Sequence, residues 1–98
     1  MEDMVRVCAT NTAKVFGLYP RKGVLSPGSD ADIVIVDPSK EITVDELFYR
    51  CGAEFSVYQG WKFKGLARTT IIRGEVMMED YETTGKPGYG KFIARGGY

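Results

Sequence analysis

VLSPGSDADIVIVDP, residues 24–38, is the stretch on which the fold turns. Pro27-Gly28 is a strong turn signal, because Pro presets one turn position and Gly accepts a positive φ at the next. Ile33, Val34, Ile35 and Val36 follow, four consecutive β-branched aliphatics fenced by Asp32 on one side and Asp37-Pro38 on the other. Branching at Cβ favours pleated backbone. A run with no polar alternation predicts a strand buried on both faces. Such a strand wants neighbours on both faces, and the rest of the chain supplies few.

Upstream, EDMVRVCAT (residues 2–10) predicts a helix, with Met4, Val5 and Cys8 at helical spacing on one face. Glu2 and Asp3 sit in its first turn, where the helix dipole favours them. Thr10 or Asn11 is then expected to cap a second short helix, TAKVFGL, ending near Gly17. Tyr19-Pro20 predicts an extended exit, and Arg21-Lys22-Gly23 a polar turn.

Downstream, Ile42, Val44 and Leu47 alternate loosely with polar residues, so 41–49 reads as strand or short helix. Residues 51–60 read as loop. ARTTIIR (67–73) and EVMME (75–79) predict two strands, with Gly74 marking the tight turn of a hairpin. The Gly- and Pro-rich tail, 81–98, is expected to wrap over a surface. No internal repeat or low-complexity block is visible.

Ninety-eight residues are one domain at most. Hydrophobic content of 44% and charged content of 27% fit an ordinary globular chain. Thirteen basic residues balance thirteen acidic ones, so there is no electrostatic footprint for nucleic acid. No apolar run nears the ~20 residues of a membrane span, and the MEDM start is acidic where a signal peptide is basic and then apolar. Cys8 and Cys51 form no C-x-x-C pair; two buried free thiols in a reducing cytosol are expected, with a disulfide between them as the alternative. The histidine count is zero. That removes the commonest general base and the commonest metal ligand together.

GKPGYGKF (85–92) matches seven positions of the phosphate-loop pattern G-x-x-x-x-G-K-[ST]. The chemistry needs a hydroxyl for magnesium where Phe92 stands. Pro87 removes an N–H donor, and no helix can follow to complete an anion site. The stretch reads as a turn in the tail.

Other tempting groups have plainer readings. Asp30, Asp32 and Asp37 could suggest a metal site, but three oxygen ligands without His suit calcium, and the spacing is not a calcium loop. Their structural reading places Asp30 in a turn and Asp32 and Asp37 at the ends of a strand. Arg21-Lys22 could meet a phosphate; a solvated junction turn is the plainer reading. Tyr58, Trp61 and Phe63 read as core or interface packing over a binding patch. Cys8 as a nucleophile needs a base and an electropositive site; on an apolar helix face it reads as core. No residue is assigned a catalytic, cofactor-binding or metal-binding role.

Two stretches and the tail carry a resemblance. NTAKVFGLYPRKGVLSPGSDADIVIVDP (11–38) resembles N-P-A-K-x-F-G-L-Y-P-x-K-G-x-[IL]-x-x-G-x-D-A-D-[IL]-V-[IL]-x-D of the cyclic amidohydrolases: hydantoinase, dihydropyrimidinase, allantoinase and dihydroorotase. SVYQGWKFKGLARTTIIRGEVMMED (56–80) is similar to their S-x-[YF]-x-G-x-x-x-x-G-x-x-x-x-T-[IV]-x-[RN]-G-x-x-V-x-x-D. GKPGYGKFIAR (85–95) resembles the ending of the hydantoinase and dihydropyrimidinase branch. Thr12 departs from the family's Pro, which suits a first helical position.

The resemblance implies a mixed, mainly β fold. A helical segment from the end of a TIM-type barrel (1–22) would precede part of the small β-sandwich domain of the amidohydrolase superfamily (23–98, with the Gly-rich tail 81–98). It implies a parent that opens cyclic amides with one or two zinc ions, which activate water for attack on the carbonyl. The metal ligands, His-x-His, a carboxylated Lys, two further His and an Asp, belong to barrel strands that precede this segment. The segment alone would be inactive, cytoplasmic, and structural, with no cofactor of its own. Its expected partners are the remainder of the parent or further copies of itself, with no nucleic acid and no membrane. Strand exchange between copies is one expected route of association, since unpaired edges invite pairing. Two alternatives stand beside it: a segment of a non-catalytic dihydropyrimidinase-related assembly protein, and a free-standing binding module.

Overall fold

A computed structural model of the chain describes residues 1–45 and 55–95. The expectations for Leu47, for Cys51 and for the loop at 51–54 fall outside those residues. Four strands, β1 (Ile33–Thr43), β2 (Lys62–Ile72), β3 (Glu75–Glu79) and β4 (Glu82–Thr83), form one antiparallel meander in the order β1-β2-β3-β4. A helical segment precedes them. The chain is thus mainly β with a helical start, as its patterning implies.

The hairpin expected at Gly74 joins β2 to β3 through two residues, with Ile72 opposite Glu75. Arg73 and Gly74 both have positive φ, 47° and 82°. A two-residue turn of that hand follows the natural twist of the strands it joins.

Two strands are longer than their sequence limits suggest. β1 continues through Pro38 to Thr43, and β2 starts at Lys62. The ladder shifts register between Asp37 and Glu41, so Pro38 lies where no ladder N–H is required. Beyond the shift, Glu41, Ile42 and Thr43 pair with Lys64, Phe63 and Lys62.

The strand read as buried on both faces is not buried here. Val34 is 55% exposed and Ile35 50%. Successive strand residues point to opposite faces, so both faces of β1 lie open, because the described residues provide no second layer. Among the described residues the buried apolar side chains are Ala13 and Val44. The chain exposes 7838 Å², against about 5,600 Å² for a compact monomer of its mass. Its radius of gyration, 15.4 Å, likewise exceeds the ~12.5 Å of a compact domain.

The break expected at Thr10-Asn11 is absent. α1 (Glu2–Val5), a π-helical stretch (Arg6–Asn11) and α2 (Thr12–Val15) follow without interruption, and Asn11 and Thr12 have right-handed helical angles. Thr12 is therefore interior and not the first residue of a helix. Its hydroxyl donates to the Val7 carbonyl at 3.0 Å, so a polar side chain that favours caps is satisfied inside the run. Nor is the exit extended: Leu18 and Tyr19 N–H both donate to the Ala13 carbonyl, and residues 19–21 turn around a cis Tyr19–Pro20 bond.

Gly23 closes this junction. A Cβ there would stand 2.6 Å from the Ala13 Cβ and 2.9 Å from the Ala9 carbonyl oxygen, and its φ is +82°. Only glycine meets both demands. Thr10 Oγ1 donates to the Gly23 carbonyl at 2.8 Å, fastening loop to helix.

The start of the tail extends the β3–β4 pairing along the edge of the sheet. Thr84 and Gly85 N–H both donate to the Met77 carbonyl, at 3.0 and 2.9 Å.

Candidate functional site

Among the described residues a dense polar cluster sits in the connection between the helical segment and the sheet. The Asp30 carboxylate accepts from Arg21 Nε at 3.0 Å and pairs with Lys22 Nζ at 2.9 Å. Lys22 also donates to Asp32 Oδ2, while Asp32 Oδ1 accepts the Arg73 N–H at 2.9 Å. Hydrogen bonds from Lys22 and then Arg21 hold Asp30 below the usual carboxylate range. Partial burial pulls Asp32 upward, yet the bonds from Lys22 and Arg73 outweigh it, and its net direction is down. Burial likewise pulls Lys22 down, and its two carboxylates leave it raised. Arg21 is exposed as expected of a solvated turn, whereas the Lys22 side chain is largely covered.

Asp37 is not part of this group. Its Oδ1 accepts from the Ser39 hydroxyl (2.7 Å), Ser39 N–H (2.9 Å) and Lys40 N–H (3.2 Å), and its Oδ2 accepts from the Tyr81 hydroxyl at 3.0 Å. These donors, the Ser39 hydroxyl foremost, hold its carboxyl down to about 2. Partial burial and the bond to Asp37 push the Tyr81 phenol up. The three aspartates read together in the sequence therefore divide. Asp30 and Asp32 share Lys22, and Asp37 sits inside β1 to stabilise its bulge. Among the described residues no group of three or more His, Cys, Asp or Glu is placed to hold a metal ion.

Tyr58, Trp61 and Phe63 do come together. Tyr58 meets the other two rings edge-on at 5.4 and 6.2 Å, and Trp61 and Phe63 lie 6.2 Å apart. Val44 exchanges backbone bonds with this turn, N–H to the Trp61 carbonyl and carbonyl to the Gly60 N–H. The rings pack on one another while their outer sides stay open. Cys8, read as core, is a free and exposed thiol; among the described residues no strand packs against its helix.

Sequence reasoning passed over Arg73, Tyr81 and Tyr89. Arg73 donates to the Tyr89 carbonyl, and its guanidinium lies 4.2 Å from the centre of the Tyr89 ring. One signal for Arg73 was present: a long cationic residue occupies a turn position that usually takes Asn, Asp or Gly.

The family model described as the amidohydrolase family matches residues 1–77, and the chain belongs to that family. Among its relatives, the D-hydantoinase of Ralstonia pickettii is 39% identical over the whole chain. A solved structure of a D-hydantoinase superposes with a TM-score of 0.92 at 39% identity over 97% of the chain. An L-hydantoinase (dihydropyrimidinase) from Arthrobacter aurescens gives 0.90 at 37%. The chain spans about a fifth of the length of these relatives, 21% in each case. Among the described residues no helix is long and apolar enough to cross a membrane.

Proposed function

We propose that the chain is a structural section of a metal-dependent hydantoinase-type enzyme that hydrolyses the C–N bond of cyclic amides. Residues 1–22 form the end of its barrel, and residues 23–98 form part of its small β-domain and its subunit contacts. The observation that carries this reading is the exposure of Val34 and Ile35 on opposite faces of β1. A sheet apolar on both faces is an interior layer, and interior layers need a cover on each side.

The chain's own residues do not fit the zinc centre that the family implies. There is no His in the sequence, and Asp30 and Asp32 are neutralised by Lys22 and Arg21 while Asp37 is filled by Ser39 and Tyr81. Other parts of a longer protein would hold the metal and the reacting carbonyl. This section would fix their scaffold.

A graft tests the proposal. The matching segment of the Ralstonia pickettii D-hydantoinase is replaced by residues 1–98, and hydantoin ring opening is assayed. Retained activity in the chimera, with none for the 98 residues alone, is the expected result. A chimera that folds but loses its hydrolysis, or a 98-residue chain that opens the ring unaided, contradicts it.

A further inference from the structure

Arg73 is a local misfit. Its φ of 47° lies in the left-handed region, where a Cβ crowds the following carbonyl oxygen and the backbone is strained. Asn or Gly at this turn position would avoid most of that strain. Strain retained at one residue points to a task that the unstrained residue cannot perform.

The contacts of Arg73 identify the task. Its backbone is gripped from outside the hairpin: Asp32 Oδ1 accepts its N–H, and the Ala31 carbonyl accepts the neighbouring Gly74 N–H at 3.0 Å. Asp32 is in turn held by Lys22, beside the helix. The side chain so aimed reaches the Tyr89 carbonyl and the face of the Tyr89 ring. A guanidinium supplies the planar stacking and the forked donors this double contact requires. Beyond the clasp the tail presents Phe92, 94% exposed.

We propose that Arg73 is a latch for the C-terminal segment, and that Lys22 and Asp32 hold the latch in its strained, tail-gripping conformation. The position of residues 84–95 is thereby tied to the helix exit through Lys22, Asp32, Arg73 and Tyr89. The latch is separable from the sheet, since it rests on one side chain and leaves the β2–β3 pairing untouched.

Hydrogen exchange of the 98-residue chain, compared among variants at one protein concentration, tests this without reading any enzymatic activity. Its failure is therefore distinct from failure of the hydantoinase reading. Arg73→Asn suits the turn better yet removes the latch. It should leave β2–β3 amides protected at least as well as in the parent, while amides of residues 88–93 exchange about tenfold faster or more. Asp32→Ala should loosen the same amides, and Arg73→Lys should be intermediate. Tail protection unchanged in Arg73→Asn overturns the proposal. So does a parent tail that already exchanges like a free peptide, or an Arg73→Asn loss that spreads equally through β2–β3. If Asp32→Ala unfolds the junction, Arg73→Asn still decides.

Discussion

Val34 and Ile35 stand side by side in β1, face opposite sides of the sheet, and are both half exposed. Neighbouring strand residues are normally divided between a dry face and a wet one. Here both are β-branched aliphatics and neither is dry. That pairing is what supports the proposed reading of the sheet as a middle layer.

Threonine at these positions should therefore behave differently in two settings. In the 98-residue chain, Val34→Thr and Ile35→Thr should each change stability by no more than about 0.5 kcal/mol, as surface substitutions do. In the hydantoinase chimera, where the proposed covering layers are present, each should cost about 1–3 kcal/mol through burial of an unpaired hydroxyl. Urea unfolding of both proteins checks this.

Gly23→Ala should loosen the helix junction. The φ of +82° and the approach to Ala13 leave no relaxed place for a methyl group. The expected loss exceeds about 1 kcal/mol, read as a lower urea midpoint at fixed protein concentration. Arg21→Ala, which removes an exposed ion pair, should by contrast cost less than about 1 kcal/mol.

Asp37 gives a pH dependence of defined sign. Its carboxyl is held down to about 2 in the fold, against about 3.9 in an unfolded chain. The folded state thus binds its proton less readily. The resulting stabilisation is present above pH ~4 and fades as pH falls toward 2. Carbon-detected NMR titration of Asp37 should show the low midpoint. Tyr81→Phe and Ser39→Ala should each move it upward.

Zinc should not stabilise the 98-residue chain, since a ligand raises the melting temperature only where the folded state binds it. The chimera should lose hydantoin hydrolysis to a chelator and regain it with added metal. A zinc-dependent rise in melting temperature of the chain alone would contradict the division of labour proposed for it.

Much of the fold was legible because it rests on local chemistry. Gly74 between two apolar runs signals a hairpin, and the four aliphatics from Ile33 to Val36 signal a strand. Its limits were hidden because Pro38 looks like a stop. Only the register shift opposite Leu66 and Lys64 gives a strand proline a harmless place. Thr10 and Asn11 looked like caps, and the helical angles of Asn11 and Thr12, with the Thr12 hydroxyl satisfied on the Val7 carbonyl, show that the helix runs through. The aspartates illustrate the same limit. Their types and spacing were visible, but their division between Lys22 and Tyr81 depends on residues up to 44 positions apart in sequence. The exposure of Cys8 was hidden because an apolar helix face reads as buried whether or not its cover lies in the same chain.

On the proposed reading this chain is an inner layer whose covers lie outside it. Sedimentation velocity across a wide concentration range, with a dye that reports exposed apolar surface, tests that claim most directly. The account predicts dye binding and a mass that climbs from 10.9 kDa as concentration rises, with both effects suppressed when the chain is embedded in the chimera. A 10.9 kDa monomer at every concentration that binds no dye would contradict it.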